Sequence, residues 1–358
     1  MKKRDNGEGS FYKQGGRWYG KITVLSASGS PIRKTASGKT RAEAIANAKA
    51  LRQKYLTRTF EKITLGEWIE RWLAVYMKSK RTATKETYAS LIKNHILPGV
   101  GHFLISELKP DDMSGFLADL LETLSASSVC LIYNILSAAM RQAVKSEVAY
   151  RNVMQAVDKP KIESINHQIL TEKQIRAFID RAISSQFYTA YLLLIGAGLR
   201  RGEALAARWE NICFEKHTIA IVETLVKTSH GIELNQPKSK QSKRTIKLPS
   251  EIVQSLATLH RSQKGFIVSN NGLPINPDTL WADFRKIKSE LGLGTLTIHE
   301  LRHSHSAHLL RLNVPLSSVS RRLGHSTIKT TSDIYSCVVP ESEDSAAKAM
   351  EFVLRKEL

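Results

Sequence analysis

Hydrophobic and polar positions change their period twice along the 358 residues. Between 11 and 35 the pattern is that of short strands. Arg17-Trp-Tyr-Gly-Lys-Ile-Thr-Val24 mixes aromatic and β-branched residues, Gly15-Gly16 and Ser28-Gly-Ser-Pro31 mark turns, and Ile32-Arg-Lys-Thr35 predicts a third strand. Thr40 then opens a helix with Ala44, Ala48 and Leu51 at helical spacing and Glu43 at the capping-box position. From Thr64 the period becomes helical throughout: Thr64-Leu-Gly-Glu67 is a capping box, and Trp68, Ile69, Trp72, Leu73 and Tyr76 share a face. Further helices are predicted over 82–95, about 110–122 and 127–146, with breaks at Pro98-Gly99 and Lys109-Pro110. The stretch 151–168 lacks an apolar period and contains Asp158-Lys-Pro-Lys161, which predicts a linker. Another capping box, Thr171-Glu-Lys-Gln174, opens a last region that is mostly helical. Its exception is 212–249, where Thr218-Ile-Ala-Ile-Val222 and Arg244-Thr-Ile-Lys-Leu248 read as strands around a lysine-rich hairpin.

Composition narrows what such a chain does. Its length exceeds the roughly 250–300 residues at which single cores stop growing, so two or three domains are expected. Hydrophobic content of 42% and aromatic content of 7% exclude global disorder. The longest nearly uncharged apolar run, Tyr188 to Leu199, is 12 residues, short of the roughly 20 that a membrane helix needs. Met1-Lys-Lys-Arg is followed by polar Asp5-Asn-Gly-Glu rather than the apolar stretch of a signal peptide. Cys130, Cys213 and Cys337 lie far apart without a C-x-x-C step. These features predict a cytoplasmic protein in a reducing compartment, with no disulfide framework and no zinc ribbon.

Charge adds a partner. Lys and Arg number 53 against 33 Asp and Glu, a net +20, and the sequence pI is about 9.8. Residues 1–60 hold 14 of the basic residues and only 3 acidic ones, so the excess is concentrated in the strand-rich module. Release of condensed counterions gives such a surface affinity for nucleic acid. A basic surface that only aids solubility is the competing explanation. A small sheet can lay an exposed face of basic and aromatic side chains in a DNA groove.

Four clusters in the last region carry candidate chemistry. In Gly198-Leu-Arg-Arg-Gly-Glu203, Arg200 and Glu203 share a helix face, so the carboxylate can hold the guanidinium in one rotamer; an ordinary surface ion pair has the same pattern. Pro237-Lys-Ser-Lys-Gln-Ser-Lys-Arg244 is a basic loop whose lysine can serve as a point charge or proton donor, or be a solvated turn. Ile298-His-Glu-Leu-Arg-His-Ser-His305 contains H-E-x-x-H, the pattern of a zinc protease helix. Arg302 inside that pattern would sit beside the dication, whereas helical spacing sets His299 and Arg302 on one face as an acid/base group beside a bidentate anion binder. Leu323-Gly-His325 reads as a helix end, ten residues before Tyr335. Together the clusters supply many cations, one tyrosine nucleophile and no required metal. That set suits in-line displacement at a phosphodiester, whose transition state spreads negative charge over the non-bridging oxygens. A tyrosine of pKa about 10 needs a base and local positive charge to react near neutrality.

The order G-L-R-x-x-E, basic-loop lysine, H-x-L-R-H, L-G-H and Tyr resembles the tyrosine recombinases, the phage-integrase family, and in particular its long integrases with an extra N-terminal module. The resemblance implies a mainly α, multidomain fold. Residues 1–60 would form a three-stranded sheet plus helix that binds arm-type sites, 61–160 a helical core-site-binding domain, and 161–358 a mixed α+β catalytic domain with a C-terminal tail. It further implies that Arg200 and Arg302 clamp the scissile phosphate, that Tyr335 attacks it, and that His299 assists proton transfer. His325 would donate to a phosphate oxygen and Glu203 would support Arg200. The lysine that protonates the leaving 5′ oxygen would be Lys238, by likeness of Pro237-Lys-Ser239 to the family's T-K-T-like step, with Lys240 the alternative. Expected DNA contacts are Arg17, Trp18, Tyr19, Lys21, Arg33, Lys34, Lys159, Lys161, Lys240 and Arg244. Double-stranded DNA would be the partner, bound as a homotetramer, with an excisionase and a host DNA-bending protein as accessory partners; no cofactor is implied. Ala346, Ala347, Met350 and Val353 fall on one side of a tail helix that would dock on a neighbouring subunit or pack within its own. The competing functions are a type IB topoisomerase, which shares the phosphotyrosyl chemistry, and a DNA-binding regulator that needs no nucleophile.

Overall fold

The N-terminal strands form where alternation demands them. The computed structural model describes residues 10–25, 31–56, 62–162, 167–236, 243–259, 264–325, 327–328 and 332. Strands β1 (Ser10–Gln14), β2 (Arg17–Leu25) and β3 (Pro31–Gly38) make an antiparallel sheet in the order β1-β2-β3. Helix α1 (Arg41–Leu56) packs on it. Ile22, Val24, Ala36 and Ala48 form a buried cluster, with Phe11 and Leu51 against it and Ala44 also buried. Thr40 caps α1 by accepting from the Glu43 N–H, while Glu43 accepts from the N–H of Lys39, one residue outside the expected box.

The helical region has its own core. It comprises α2 (Leu65–Tyr76), α3 (Thr82–Leu91), the short α4 (Leu97–Val100), α5 (Pro110–Thr123) and α6 (Ala126–Lys145). The capping box at Thr64 and Glu67 is formed, and Trp68, Ile69 and Trp72 bury the predicted face against Ile132, Ile135 and Leu136. Two expectations are corrected. Pro98-Gly99 does not break the chain: a π-helical turn, Ile92–Ile96, leads directly into α4. The Leu97 N–H bonds to the Ile92 carbonyl, and widening the helix in this way relieves the clash a proline ring makes with the preceding turn. The linker also begins later than 151. Val153, Met154 and Val157 belong to the helical core, held by the Tyr133 hydroxyl donating to the carbonyls of Met154 and Val157. A single 3-10 turn buries residues without leaving a helical period.

Backbone contacts divide the chain into Met1–Glu163 and Ser164–Leu358. The second unit contains α7 (Glu172–Ala182), α8 (Tyr188–Gly196) and α9 (Arg201–Leu205). Strands β4 (Ile212–Cys213), β5 (Thr218–Ile221), β6 (Thr224–Thr228), β7 (Gly231–Asn235) and β8 (Arg244–Lys247) follow. Helix α10 (Ser250–Leu259), the short pair β9 (Ser269–Asn270) and β10 (Leu273–Pro274), α11 (Pro277–Glu290), α12 (Ile298–Arg311) and α13 (Leu316–Leu323) complete it. The sheet order is β4-β5-β8, with β6-β7 a separate hairpin. The lysine-rich segment therefore does not tip a hairpin between the two predicted strands, because β6 and β7 intervene. It connects β7 to β8, and residues 237–242, with Lys238 and Lys240, lie outside the described residues. Helix α8 is apolar on every side and buried from Thr189 to Ile195, so it forms the centre of this core.

Candidate active site

The first cluster is built by the end of α8. Gly198 has φ +69°, and a Cβ there would meet His305 Cδ2 at 2.5 Å; only glycine turns the chain so tightly at this place. The turn delivers Arg200 as the N-cap of α9. Glu203, three residues on, accepts from the Arg200 backbone N–H at 2.9 Å and from its Nη1 at 2.8 Å. The sequence-level ion pair is thus also a capping device. The Glu203 side chain is 4% exposed, and Arg244 on β8 closes its other side with Nη1 at 3.1 Å and Nη2 at 2.9 Å. Burial alone would raise the carboxyl, but hydrogen bonding and charge from Arg244, then Arg200, hold it down at about 2.

Helix α12 supplies the third cluster. Thr297 caps it, and Glu300 completes the capping box by accepting from the Thr297 N–H at 2.7 Å. Arg302 is 2% exposed. It donates through Nη1 to the Gly198 carbonyl and through Nη2 to the Leu323 carbonyl, both at 2.6 Å. Leu323 ends α13, where Gly324 takes the left-handed conformation (φ +66°) and the His325 N–H returns to the Ser320 carbonyl. The exposed carbonyls of this helix end are used: Gly324 accepts from Arg200 Nη2 at 3.0 Å. L-G-H is therefore a clamp for both arginines as well as the source of His325. Because Arg302 Nη2, 3.0 Å away, can only donate, His325 Nε2 accepts and the ring proton belongs on Nδ1.

Electrostatics follow from this crowding. Arg200, Arg244 and Arg302 surround one carboxylate, leaving an excess of positive charge. Burial lowers Arg302 to about 9. Loss of water, then the charges of Arg302 and Arg200, hold His299 and His325 near 4. At neutral pH His299 is therefore a neutral imidazole able to accept a proton. A cavity of about 460 Å³ lined by Lys243, Arg244, Ser320, Arg321, Gly324 and His325 opens beside the cluster. A pocket with cations in its lining suits a phosphodiester.

The structure thus brings together Arg200, Glu203, Arg302 and His325, with His299 within electrostatic reach. Lys238, Lys240 and Tyr335 lie outside the described residues, as does the tail with Ala346, Ala347, Met350 and Val353. Arg244, expected among the DNA contacts, pairs with Glu203 through a side chain only 7% exposed and lines the cavity beside His325. Sequence reasoning missed Arg322, which donates to His305 Nε2 at 3.0 Å and to the Lys247 carbonyl at 2.9 Å. With His305 Nδ1 on the Ile195 carbonyl at 2.7 Å, that pair ties α8, α12 and α13 together. The adjacent L-G-H was the available signal, but a basic residue beside it reads equally well as solvated. Among the described residues no group of three His, Cys, Asp or Glu is arranged to hold a metal ion, and Glu300 is committed to backbone N–H groups.

In the N-terminal sheet, pairing register sorts the expected contacts. Tyr12, Tyr19, Lys21 and Arg33 share the face opposite α1, with Arg17 in the same alternation, and Lys21 Nζ lies 5.2 Å from the Tyr12 ring centroid. Trp18 and Lys34 alternate onto the side of Ile22 and Ala36, the α1 side. Lys159 and Lys161 are exposed in the first unit, Met1–Glu163.

Comparison with known proteins matches residues 168–341 to the phage integrase family, and 64–121 to the phage integrase N-terminal SAM-like domain. A tyrosine recombinase XerC-like protein of Caldanaerobacter subterraneus subsp. tengcongensis is 27% identical over 390 aligned positions, covering 95% of this chain and 97% of its own. Among solved structures, the Tn1549 transposon integrase in complex with a circular intermediate DNA superposes with a TM-score of 0.71 at 20% identity, over 81% of this chain and 99% of that one. A lambda integrase tetramer bound to a Holliday junction gives 0.61 at 19% identity, over 95% and 99%. No described helix is long and apolar enough to cross a membrane.

Proposed function

The chain belongs to the phage integrase family of tyrosine recombinases, and from this premise we propose a site-specific DNA recombinase that integrates or excises a phage or other mobile element. The observation that carries the reading is the clustering of Arg200, Arg244 and Arg302 around buried Glu203, with His325 against Arg302. Two guanidinium groups fixed by carbonyls and a carboxylate are preorganised for the charge that develops on a phosphate under attack. In the proposed step the Tyr335 hydroxyl oxygen forms a bond to phosphorus while the bond from phosphorus to the 5′ oxygen breaks. Neutral His299 takes the tyrosine proton, His325 donates to a non-bridging oxygen, and Lys238, or Lys240 in its place, protonates the departing 5′ oxygen. The product is a 3′-phosphotyrosyl link and a free 5′-hydroxyl. Attack by the 5′-hydroxyl of a partner duplex reverses the chemistry, so the bond energy is retained and ATP is not needed.

Residues 1–60 would bind arm-type sites, 61–160 the core site, and 161–358 would cut and rejoin. The lambda neighbour is a tetramer on a Holliday junction, and a homotetramer on two duplexes is proposed here, with an excisionase and a host DNA-bending protein as further partners in a bacterial cytoplasm. The test uses nicked suicide duplexes from DNA flanking the gene, incubated in EDTA with wild type and with Tyr335→Phe. An SDS-resistant protein–DNA adduct with wild type alone is the expected result. Tight binding without an adduct would instead favour a DNA-binding regulator.

A further inference from the structure

The third cluster contains two residues that the cleavage chemistry leaves unused, Glu300 and His303. Both face the segment just downstream of Glu163, where the second unit begins. Glu300 Oε1 accepts from the Gln168 N–H at 2.9 Å. One turn along, Ser304 Oγ accepts from the Leu170 N–H at 2.9 Å and donates to the Glu300 carbonyl at 2.8 Å. One further turn along, His308 Nε2 meets the Leu170 carbonyl at 2.8 Å. Residues four apart on α12 therefore match alternate backbone groups of an extended segment laid along the helix, which fixes its register. Leu170 is fully buried at the end of this track.

The rings continue the same contact toward the active site. His167, at the start of the segment, stacks on His303 with centroids 4.2 Å apart and planes at 21°. His303 meets His299 nearly perpendicularly, at 4.6 Å and 87°. His303 Nδ1 is buried and has no hydrogen-bond partner among the described residues. A histidine kept in place with an unpaired buried nitrogen is a costly choice for packing alone, and its ring, not its polarity, makes the two contacts seen here.

We propose that His303 and His167 are positioning residues for His299, and that docking of residues 167–170 on α12 sets the orientation of that imidazole for strand cleavage. The inference rests on the cleavage reading above. It makes the position of the connecting segment a determinant of the rate of chemistry without changing the affinity for DNA.

The experiment is single-turnover cleavage of the suicide duplex by full-length protein, with the rate at saturating protein separated from the half-saturating concentration. Wild-type adduct formation comes first; its absence would count against the cleavage reading and not reach this one. His303→Ala is expected to slow saturated cleavage about tenfold, with the half-saturating concentration unchanged. His303→Phe keeps a ring of similar width and is expected to restore the rate to within about threefold. His167→Ala, at a site already one-third exposed, is expected to fold normally and lose rate in the same way as His303→Ala. A merely structural role would lower thermal stability in His303→Ala and leave the saturated rate of the folded fraction unchanged. Wild-type rates for both alanine variants, or a phenylalanine variant as slow as His303→Ala, would overturn the proposal.

Discussion

The N-terminal sheet and the arginine cluster are both rich in cations, yet they hold them in opposite ways. On the sheet, Arg17, Lys21 and Arg33 are exposed, over a small core of Ile22, Val24, Ala36, Ala44 and Ala48. In the cluster, Arg244 and Arg302 are nearly buried, held by a carboxylate, backbone carbonyls and a histidine. An exposed cation attracts a polyanion from a distance and adapts to it. A buried one is fixed before the substrate arrives and is worth more, because water does not screen it. The first arrangement suits affinity, the second suits stabilisation of a reacting anion.

The largest test of that contrast is Glu203→Gln. It leaves Arg244 and Arg302 without a buried counter-charge, and breaking such a network costs about 3–5 kcal/mol. Urea unfolding of the variant is expected to show that loss, together with strongly reduced cleavage. Lys21→Ala, on the sheet, is expected to stay within about 0.5 kcal/mol of wild type. Equal losses in the two variants would erase the distinction. Gly198→Ala comes next: the left-handed backbone and the approach of its Cβ to His305 predict a loss of about 1–3 kcal/mol. The same denaturation curves measure it.

Acid separates the regions again. Burial holds His303 and His305 near 3 in the folded protein, against an ordinary 6.5. Between those values the unfolded chain binds more protons than the folded one, so this contribution to stability is complete above about pH 6.5 and falls as the pH drops toward 3. Residues 1–60 contain no histidine. Hydrogen exchange read peptide by peptide, corrected for intrinsic rates, should therefore show α12 opening more readily at pH 5 than at pH 7 while β2 is unchanged. A uniform response of both would sink the assignment to buried imidazoles.

What the sequence reveals also differs between the regions. Capping boxes at Thr64 and Thr171 and the alternation of 17–24 are local signals, and the elements they predict form. The motif residues of the site were equally legible, since each pattern fixes a residue type at a fixed spacing. Long-range commitments were not. Nothing in Arg244-Thr-Ile-Lys says that its guanidinium turns inward to Glu203, and Arg322 before L-G-H gives no sign that it bonds His305 across α12. Pro98 misled because a π-turn depends on what packs around it rather than on the dipeptide itself. Composition carries no register, so the alternation that sets Trp18 and Lys34 on the other face from Lys21 and Arg33 is visible only in the paired sheet.

Register supplies the finest prediction. If the open face of the sheet is the DNA face, each of Lys21→Ala and Arg33→Ala removes one phosphate contact. The slope of log K against log salt for arm-site DNA should then fall by about 1 for each. Cleavage of a core-only duplex should not change. Lys34 has the same charge and is also exposed, but alternation sets it on the α1 side, paired across the strands with Ile22. Lys34→Ala should therefore change the slope much less, although it alters net charge by the same amount. That comparison distinguishes a docked surface from a diffuse basic field, which would respond to all three substitutions alike. Equal slopes for Lys21→Ala and Lys34→Ala would mean that the sheet attracts DNA by total charge and not through one face.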